Sequence, residues 1–222
     1  MLRAVNDATR PGDWVVAAAG GPPGDLLKLW EVREGTRAHL EFAFSCMGHE
    51  LPSALGLRLG DSAAREIFAV IGDGTWLMGS AELATAAGEG LKVTVVLLVN
   101  GGYQSIHGLQ LAAGGPSFGN EFRDPAGAPL RVDFAANARS LGAEAWDVHD
   151  LDGLGMALAE ARASAGPAVV VCHVEARRAL PSPGAFWDLG VAEVSSRPEV
   201  VAASETHARR RAAQRYYGWR AG

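Results

Sequence analysis

Five short runs of this chain are rich in Val, Ile and Ala and are apolar almost continuously: residues 14–19, 67–71, 93–99, 143–148 and 168–174. No other feature constrains the fold as much. Strands read this way when both faces are covered, because a half-exposed strand alternates apolar and polar positions. Between the runs, residues 50–59, 80–87, 132–141 and 151–163 carry apolar positions three and four apart, the spacing of a helix with one buried face. Alternation at this pace predicts an α/β fold, a mainly parallel sheet with helices on both faces and right-handed crossovers. Such sheets take ligands outside the carboxyl ends of their strands. The Gly-rich stretches fall there, at Gly20-Gly21-Pro22-Pro23-Gly24, Gly72-Asp73-Gly74 and Gly101-Gly102.

At 222 residues the chain is long enough to bury a substantial core, and it shows no internal repeat and no second-domain boundary. The expected organisation is one ligand-binding domain over 1–190 and a helical tail over 191–222, packed on the domain or on a partner. Residues 110–131 are rich in Gly, Pro, Ala and Asn without a period, and loops of that length commonly cover sites. The chain turns irregular around Pro181-Ser182-Pro183 and ends in an expected helix over 198–217, dense in Ala and Arg. A net charge of −5 argues against a general nucleic-acid binder. The apolar runs are strand-sized, so no membrane span is expected, and residues 1–11 lack the apolar core of a signal peptide. Cys46 and Cys172 form neither a disulfide framework nor a zinc cluster, which fits a reducing, cytoplasmic setting.

A bare Gly-Asp-Gly is usually a turn. Here it closes an apolar strand and precedes a helix, so its glycines permit close backbone approach and the helix start faces an anion. The next strand ends on Asn100 and opens into Gly101-Gly102. Two strands thus bring a carboxylate and an amide oxygen to one edge, suited to Mg²⁺, which takes about six hard oxygen ligands. Thr75 stands where a hydroxyl reaches a phosphate. No P-loop and no helix-opening Gly-x-Gly-x-x-Gly is present.

Gly72-Asp73-Gly74 with Asn100 resembles the cofactor motif of the thiamine-diphosphate enzymes. The resemblance implies thiamine diphosphate and Mg²⁺ as cofactors, with Asp73, Asn100 and the Gly102 carbonyl as metal ligands. It places Ser45, Gly72, Gly74, Thr75, Tyr103, Gln104 and Ser105 around the cofactor, while fold position, in the loop after the first strand, puts Gly20 and Gly21 at its mouth. It also implies that Met47, in Ser45-Cys46-Met47-Gly48, is the apolar wedge holding the cofactor bent; read without the motif, Met47 is an ordinary core methionine. Within the family, the run from Phe44 to Glu50, the stretch from Gly72 to Asn100 and the ending Trp187-Asp188 … Gln214-Arg215-Tyr216-Tyr217 resemble one hydrolytic branch. That branch opens trihydroxycyclohexane-1,2-dione, a cyclic 1,2-diketone, to 5-deoxyglucuronate in inositol catabolism. The similarity runs from about residue 6 to 217 and covers the branch's C-terminal third. His49 stands where an aromatic is common, and Gln104 and His107 replace smaller residues.

The family's activating glutamate belongs to a pyrimidine-binding domain, expected here from another chain in a homo- or hetero-oligomer. The alternatives are the diphosphate-binding subunit of a split 2-oxo acid decarboxylase or acetolactate-synthase-like lyase, and a non-catalytic remnant. His49, His107 and Glu50 are candidates for proton transfer; the plainer reading makes His49 a lining residue and His107 a polar loop residue. Cys46 reads as a buried apolar filler. His149, His173 and His207 have no ligand-spaced partners in sequence. Arg209-Arg210-Arg211 reads as a solvated face or a subunit contact.

Overall fold

The computed structural model describes residues 1–41, 43–176, 180 and 188–215. In chain order the elements are α1 (Leu2–Ala8), β1 (Trp14–Ala17), α2 (Pro22–Leu29), β2 (Arg37–Leu40), α3 (Glu50–Gly60), β3 (Ile67–Gly72), α4 (Asp73–Gly79), α5 (Glu82–Gly88), β4 (Thr94–Val99), α6 (Gln104–Ala112), α7 (Phe134–Ser140), β5 (Glu144–Val148), α8 (Leu151–Ala163), β6 (Ala168–His173) and α9 (Pro198–Ala213). The six strands form one parallel sheet in the order β2-β1-β3-β4-β6-β5.

The uninterrupted apolar runs have the cause expected of them. Val16, Ala69, Ile71, Val95, Leu97 and Val171 point to one face, where they pack with Leu51 and Leu55 of α3, Leu83 of α5 and Phe134 of α7. Their alternates Val15, Ala17, Phe68, Val70, Val96 and Val170 point to the other, against Val5 of α1, Leu26 of α2 and Leu154 and Leu158 of α8. Successive side chains on a strand face opposite ways, so two covered faces need apolar residues at every position. The sheet is therefore the middle layer of three.

All five expected strands form, each within a residue or two of its range, and Leu151–Ala163 is helical end to end. A sixth strand, β2, was not expected. Arg37-Ala38-His39-Leu40 is only half apolar because it lies at the sheet edge, hydrogen-bonded to β1 alone and half exposed. Pro22-Pro23-Gly24 opens α2 instead of a loop, since proline suits the first helical turn, where its missing N–H costs nothing. The helix expected at 80–87 starts at Glu82, and a separate helix, α4, begins on Asp73 itself. The aperiodic stretch 110–131 includes the end of α6 and two isolated bridges, Gly102 to Glu121 and Arg123 to Pro129. The last helix stops at Ala213, short of 217. Pro181-Ser182-Pro183, Trp187, Tyr216 and Tyr217 lie outside the described residues.

The two ends of the sheet differ in character. At the amino end, buried Asp13 accepts hydrogen bonds from the Arg10 and Glu66 amides and pairs with Arg162 of α8 at 2.6 Å. Glu66 there accepts a hydrogen bond from Thr94 at 3.0 Å. At the carboxyl end the loops are rich in glycine. Among the described residues no helix is long and apolar enough to cross a membrane.

Candidate cofactor site

The carboxyl ends of the adjacent strands β2, β1, β3 and β4 deliver four loops to one edge. Those loops carry Ser45 to His49, Gly20 and Gly21, Gly72 to Thr75, and Asn100 to Ser105. Asp73 is fully buried at the centre. Its Oδ2 accepts hydrogen bonds from the backbone N–H groups of Gly101 at 2.7 Å, Asn100 at 3.0 Å and Gly102 at 3.3 Å, and its Oδ1 accepts one from Gly74 at 2.8 Å. Burial pushes this carboxyl above the ordinary aspartate range, and the four N–H groups pull it back.

One terminal atom of the Asn100 amide lies 2.8 Å from the Gly102 carbonyl and 3.1 Å from Asp73 Oδ1; read as the oxygen, it faces two acceptors with no proton between them. Turning the amide over would let its NH₂ donate to both neighbours. A cation at the centre answers the same clash with the amide left as it stands. Adjacent ligands of an octahedral ion with bonds of about 2.1 Å are separated by about 3 Å, the spacing of the Asn100 atom from each of its two neighbours. The donor set therefore fits a small hard cation.

The glycines of the edge divide into two kinds. A Cβ on Gly74 would fall 2.6 Å from the Tyr103 ring, and one on Gly102 (φ +147°) would fall 2.2 Å from the Asn120 carbonyl oxygen. These two make room for the protein's own packing. A Cβ on Gly21, Gly48, Gly72 or Gly101 would meet nothing within 4 Å, so the chain leaves space beside its backbone there. The turn after Asn100 is braced from outside: Tyr103 donates its N–H to the Asn120 carbonyl at 2.7 Å, and Phe122 donates to that of Gly101 at 2.8 Å.

Met47 is 36% exposed on the loop after β2. Ser45 in that loop has φ +50°, a conformation costly for a non-glycine residue, and donates from Oγ to the Ala18 carbonyl at 3.2 Å. Two carboxylates hold the region. Glu41 accepts the amides of Phe44 at 2.9 Å and Cys46 at 3.0 Å, which hold it below the ordinary glutamate range. Fully buried Glu50 accepts the Ala19 N–H at 3.0 Å, while its Oε2 finds no partner among the described residues; burial raises this carboxyl above its ordinary range. Sequence reasoning missed Glu41 and gave Glu50 no structural part, because both act on backbone amides that spacing does not reveal.

Cys46 is exposed, contrary to its reading as a buried filler, while Cys172 is buried and its thiol is pushed up to about 12. His49 Nε2 lies 3.0 Å from His39 Nε2, so one ring donates and the other accepts. His107 is a buried residue of α6 and not part of a loop. Its Nδ1 sits 3.2 Å from Gln104 Oε1, its Nε2 has no partner among the described residues, and Gln104 in turn donates to the Asn100 carbonyl at 3.3 Å. Thr75 is buried in the first turn of α4, and Ser105 is exposed on α6. His149 and His173, expected to stand alone, stack on each other with ring centroids 4.7 Å apart. His207 lies 2.7 Å from Asp188.

A parallel sheet with glycine-rich loops at its carboxyl edge defines an α/β domain of the class that takes ligands outside the carboxyl ends of its strands. Residues 18–172 match the family described as "Thiamine pyrophosphate enzyme, C-terminal TPP binding domain", and the chain belongs to that family. It is 34% identical over 204 residues to a 3D-(3,5/4)-trihydroxycyclohexane-1,2-dione hydrolase of Listeria monocytogenes serotype 4b, covering 92% of this chain and 32% of that protein. The hydrolase of the same name from Halalkalibacterium halodurans is 36% identical over 205 residues, with the same coverage. The chain thus spans about a third of the length of these relatives. Among solved structures, benzoylformate decarboxylase from Polynucleobacter necessarius superposes with a TM-score of 0.70 at 21% identity, covering 81% of this chain and 33% of that one. The 4-hydroxybenzoylformate decarboxylase of Rhodococcus jostii RHA1 gives 0.67 at 21% identity, covering 78% and 31%. At that identity the likeness is one of fold.

Proposed function

We propose that this chain is the Mg²⁺- and diphosphate-holding part of a thiamine-diphosphate hydrolase that opens a cyclic 1,2-diketone, the trihydroxycyclohexane-1,2-dione named for its relatives, to 5-deoxyglucuronate. The observation that carries the reading is the meeting of the buried Asp73 carboxylate, the Asn100 side-chain amide and the Gly102 carbonyl, with a terminal atom of Asn100 2.8 Å from the Gly102 carbonyl and 3.1 Å from Asp73 Oδ1. An oxygen of each holds the cation, and phosphate oxygens and water complete its shell. The amides on Asp73 Oδ2 fix the carboxylate so that Oδ1 faces the ion. Gly72 and Gly101 leave the diphosphate room beside the backbone, and Thr75 offers it a hydroxyl. Gly20, Gly21 and Ser45 line the mouth, Tyr103, Gln104 and Ser105 its far side, and Met47 supports the cofactor's bent form.

Bound there, the cofactor would supply the carbon nucleophile that adds to one ketone of the substrate. The chain's own share is positioning and proton holding. His49 shares one proton with His39 between their Nε2 atoms, and His107 keeps a bare Nε2 behind Gln104. The activating glutamate comes from a pyrimidine-binding domain on another chain or segment, in an oligomer. Residues 191–222 form a tail on the domain or on that partner.

Calorimetric titration with thiamine diphosphate tests the site. Binding is expected only with Mg²⁺, and Asp73→Ala should weaken it beyond the roughly 10–100-fold typical of losing an outer-shell partner. Unchanged affinity in that variant would remove the assignment. With the partner domain supplied, turnover of 2-oxo acids in place of the cyclic diketone would instead point to a split decarboxylase or lyase, and turnover of neither to a non-catalytic chain.

A further inference from the structure

The same sheet edge carries a second set of ligand groups two and three strands away from Asp73. Among the described residues, Asp147, His149 and His173 each offer one ligand atom, and all three atoms lie within 4.8 Å of one another. Strand geometry puts them there. β5 and β6 run parallel with Val148 opposite Cys172, so His149 and His173 come next, side by side just past the last paired residues. Asp147 precedes His149 by two positions and therefore shares its face. Between them Val148 turns inward, buried with Cys172 on the opposite side of the sheet. The two rings stack at 4.7 Å with planes 15° apart, and His173 Nε2 lies 2.7 Å from Asp147 Oδ1. All three side chains are open to solvent.

We infer that Asp147, His149 and His173 form a binding site for a borderline divalent transition ion of the Zn²⁺ or Ni²⁺ class. Two imidazoles and one carboxylate make a nitrogen-rich set, which such ions favour and Mg²⁺ does not. The Asp73 set is entirely oxygen, so the two sites sort ions by chemistry. Binding at His173 Nε2 replaces the hydrogen that bridges to Asp147, and the ring takes the tautomer with its hydrogen on Nδ1. Three protein ligands leave one tetrahedral position for water or an incoming anion. The site does not depend on the function proposed above.

Titration of the full chain with ZnCl₂ alone, in excess Mg²⁺ and without thiamine diphosphate, tests it. One zinc ion is expected at micromolar affinity, weakened at least about tenfold in His149→Ala and in His173→Ala and unchanged in His39→Ala. Both substituted positions are exposed, so the fold should survive, as circular dichroism will verify. A zinc-edge anomalous peak between the three side chains would place the ion directly. The proposal is overturned if wild type does not saturate with zinc in the micromolar range, or if both variants bind as wild type does.

Discussion

Glycine has two meanings within a few residues of Asp73. At Gly74 and Gly102 a side chain would strike Tyr103 or the Asn120 carbonyl, so the backbone is held close to its own neighbours. At Gly72 and Gly101 a Cβ would meet nothing of the described residues within 4 Å. The sequence pattern shows a glycine at all four positions and cannot separate the two, because the neighbours come from remote segments. Glu50 is a similar case. Its folded form binds a proton more readily than the unfolded chain does, since burial raises its carboxyl. The stability this contributes is fully present below the ordinary glutamate range and is lost as pH rises through the raised value. Glu50→Gln keeps an acceptor for the Ala19 amide and lacks the titration. It should melt above wild type at neutral and alkaline pH, with the gap closing in acid; thermal denaturation across pH reads this directly.

At the scale of elements, the five buried strands were legible because burial on both faces leaves a compositional mark that needs no knowledge of partners. β2 was not legible, since an edge strand with one partner can carry Arg37 and His39. The Asp73–Asn100 pairing was legible for a related reason: β3 and β4 are consecutive in the chain and adjacent in the sheet, so sequence order and spatial order agree. β5 and β6 are likewise consecutive and adjacent, but the register that sets His149 beside His173 is not written in the spacing of the two runs, and their meeting went unseen. The amino end of the sheet answers to stability, with α8 tied to the start of β1 through Arg162 and the buried Asp13. Asp13→Ala strands that guanidinium and two amides, and should cost about 3–5 kcal/mol. Urea denaturation measures the loss, and cofactor affinity in the surviving folded fraction should be unaltered.

The described residues form a three-layer sandwich whose candidate ligand groups gather at one rim. A ligand that binds only the folded chain stabilises it by mass action, about 2.7 kcal/mol at a hundred times its dissociation constant. Thiamine diphosphate and Mg²⁺ together should therefore raise the melting temperature, with EDTA reversing the rise and neither component sufficient alone. The strand order has a further consequence, one of timing. Among the described residues β6 is the last strand, yet it lies between β4 and β5, and β5 is hydrogen-bonded to no other strand. On a ribosome, β5 and its helix α7 emerge with no place in the sheet until residues 168–173 follow them. Until then β4 is an open edge and the sheet is a four-stranded intermediate. Closing it demands contacts between segments far apart in sequence, which fold slowly. During that interval the nascent chain presents an unpaired strand to chaperones, or to another copy of itself.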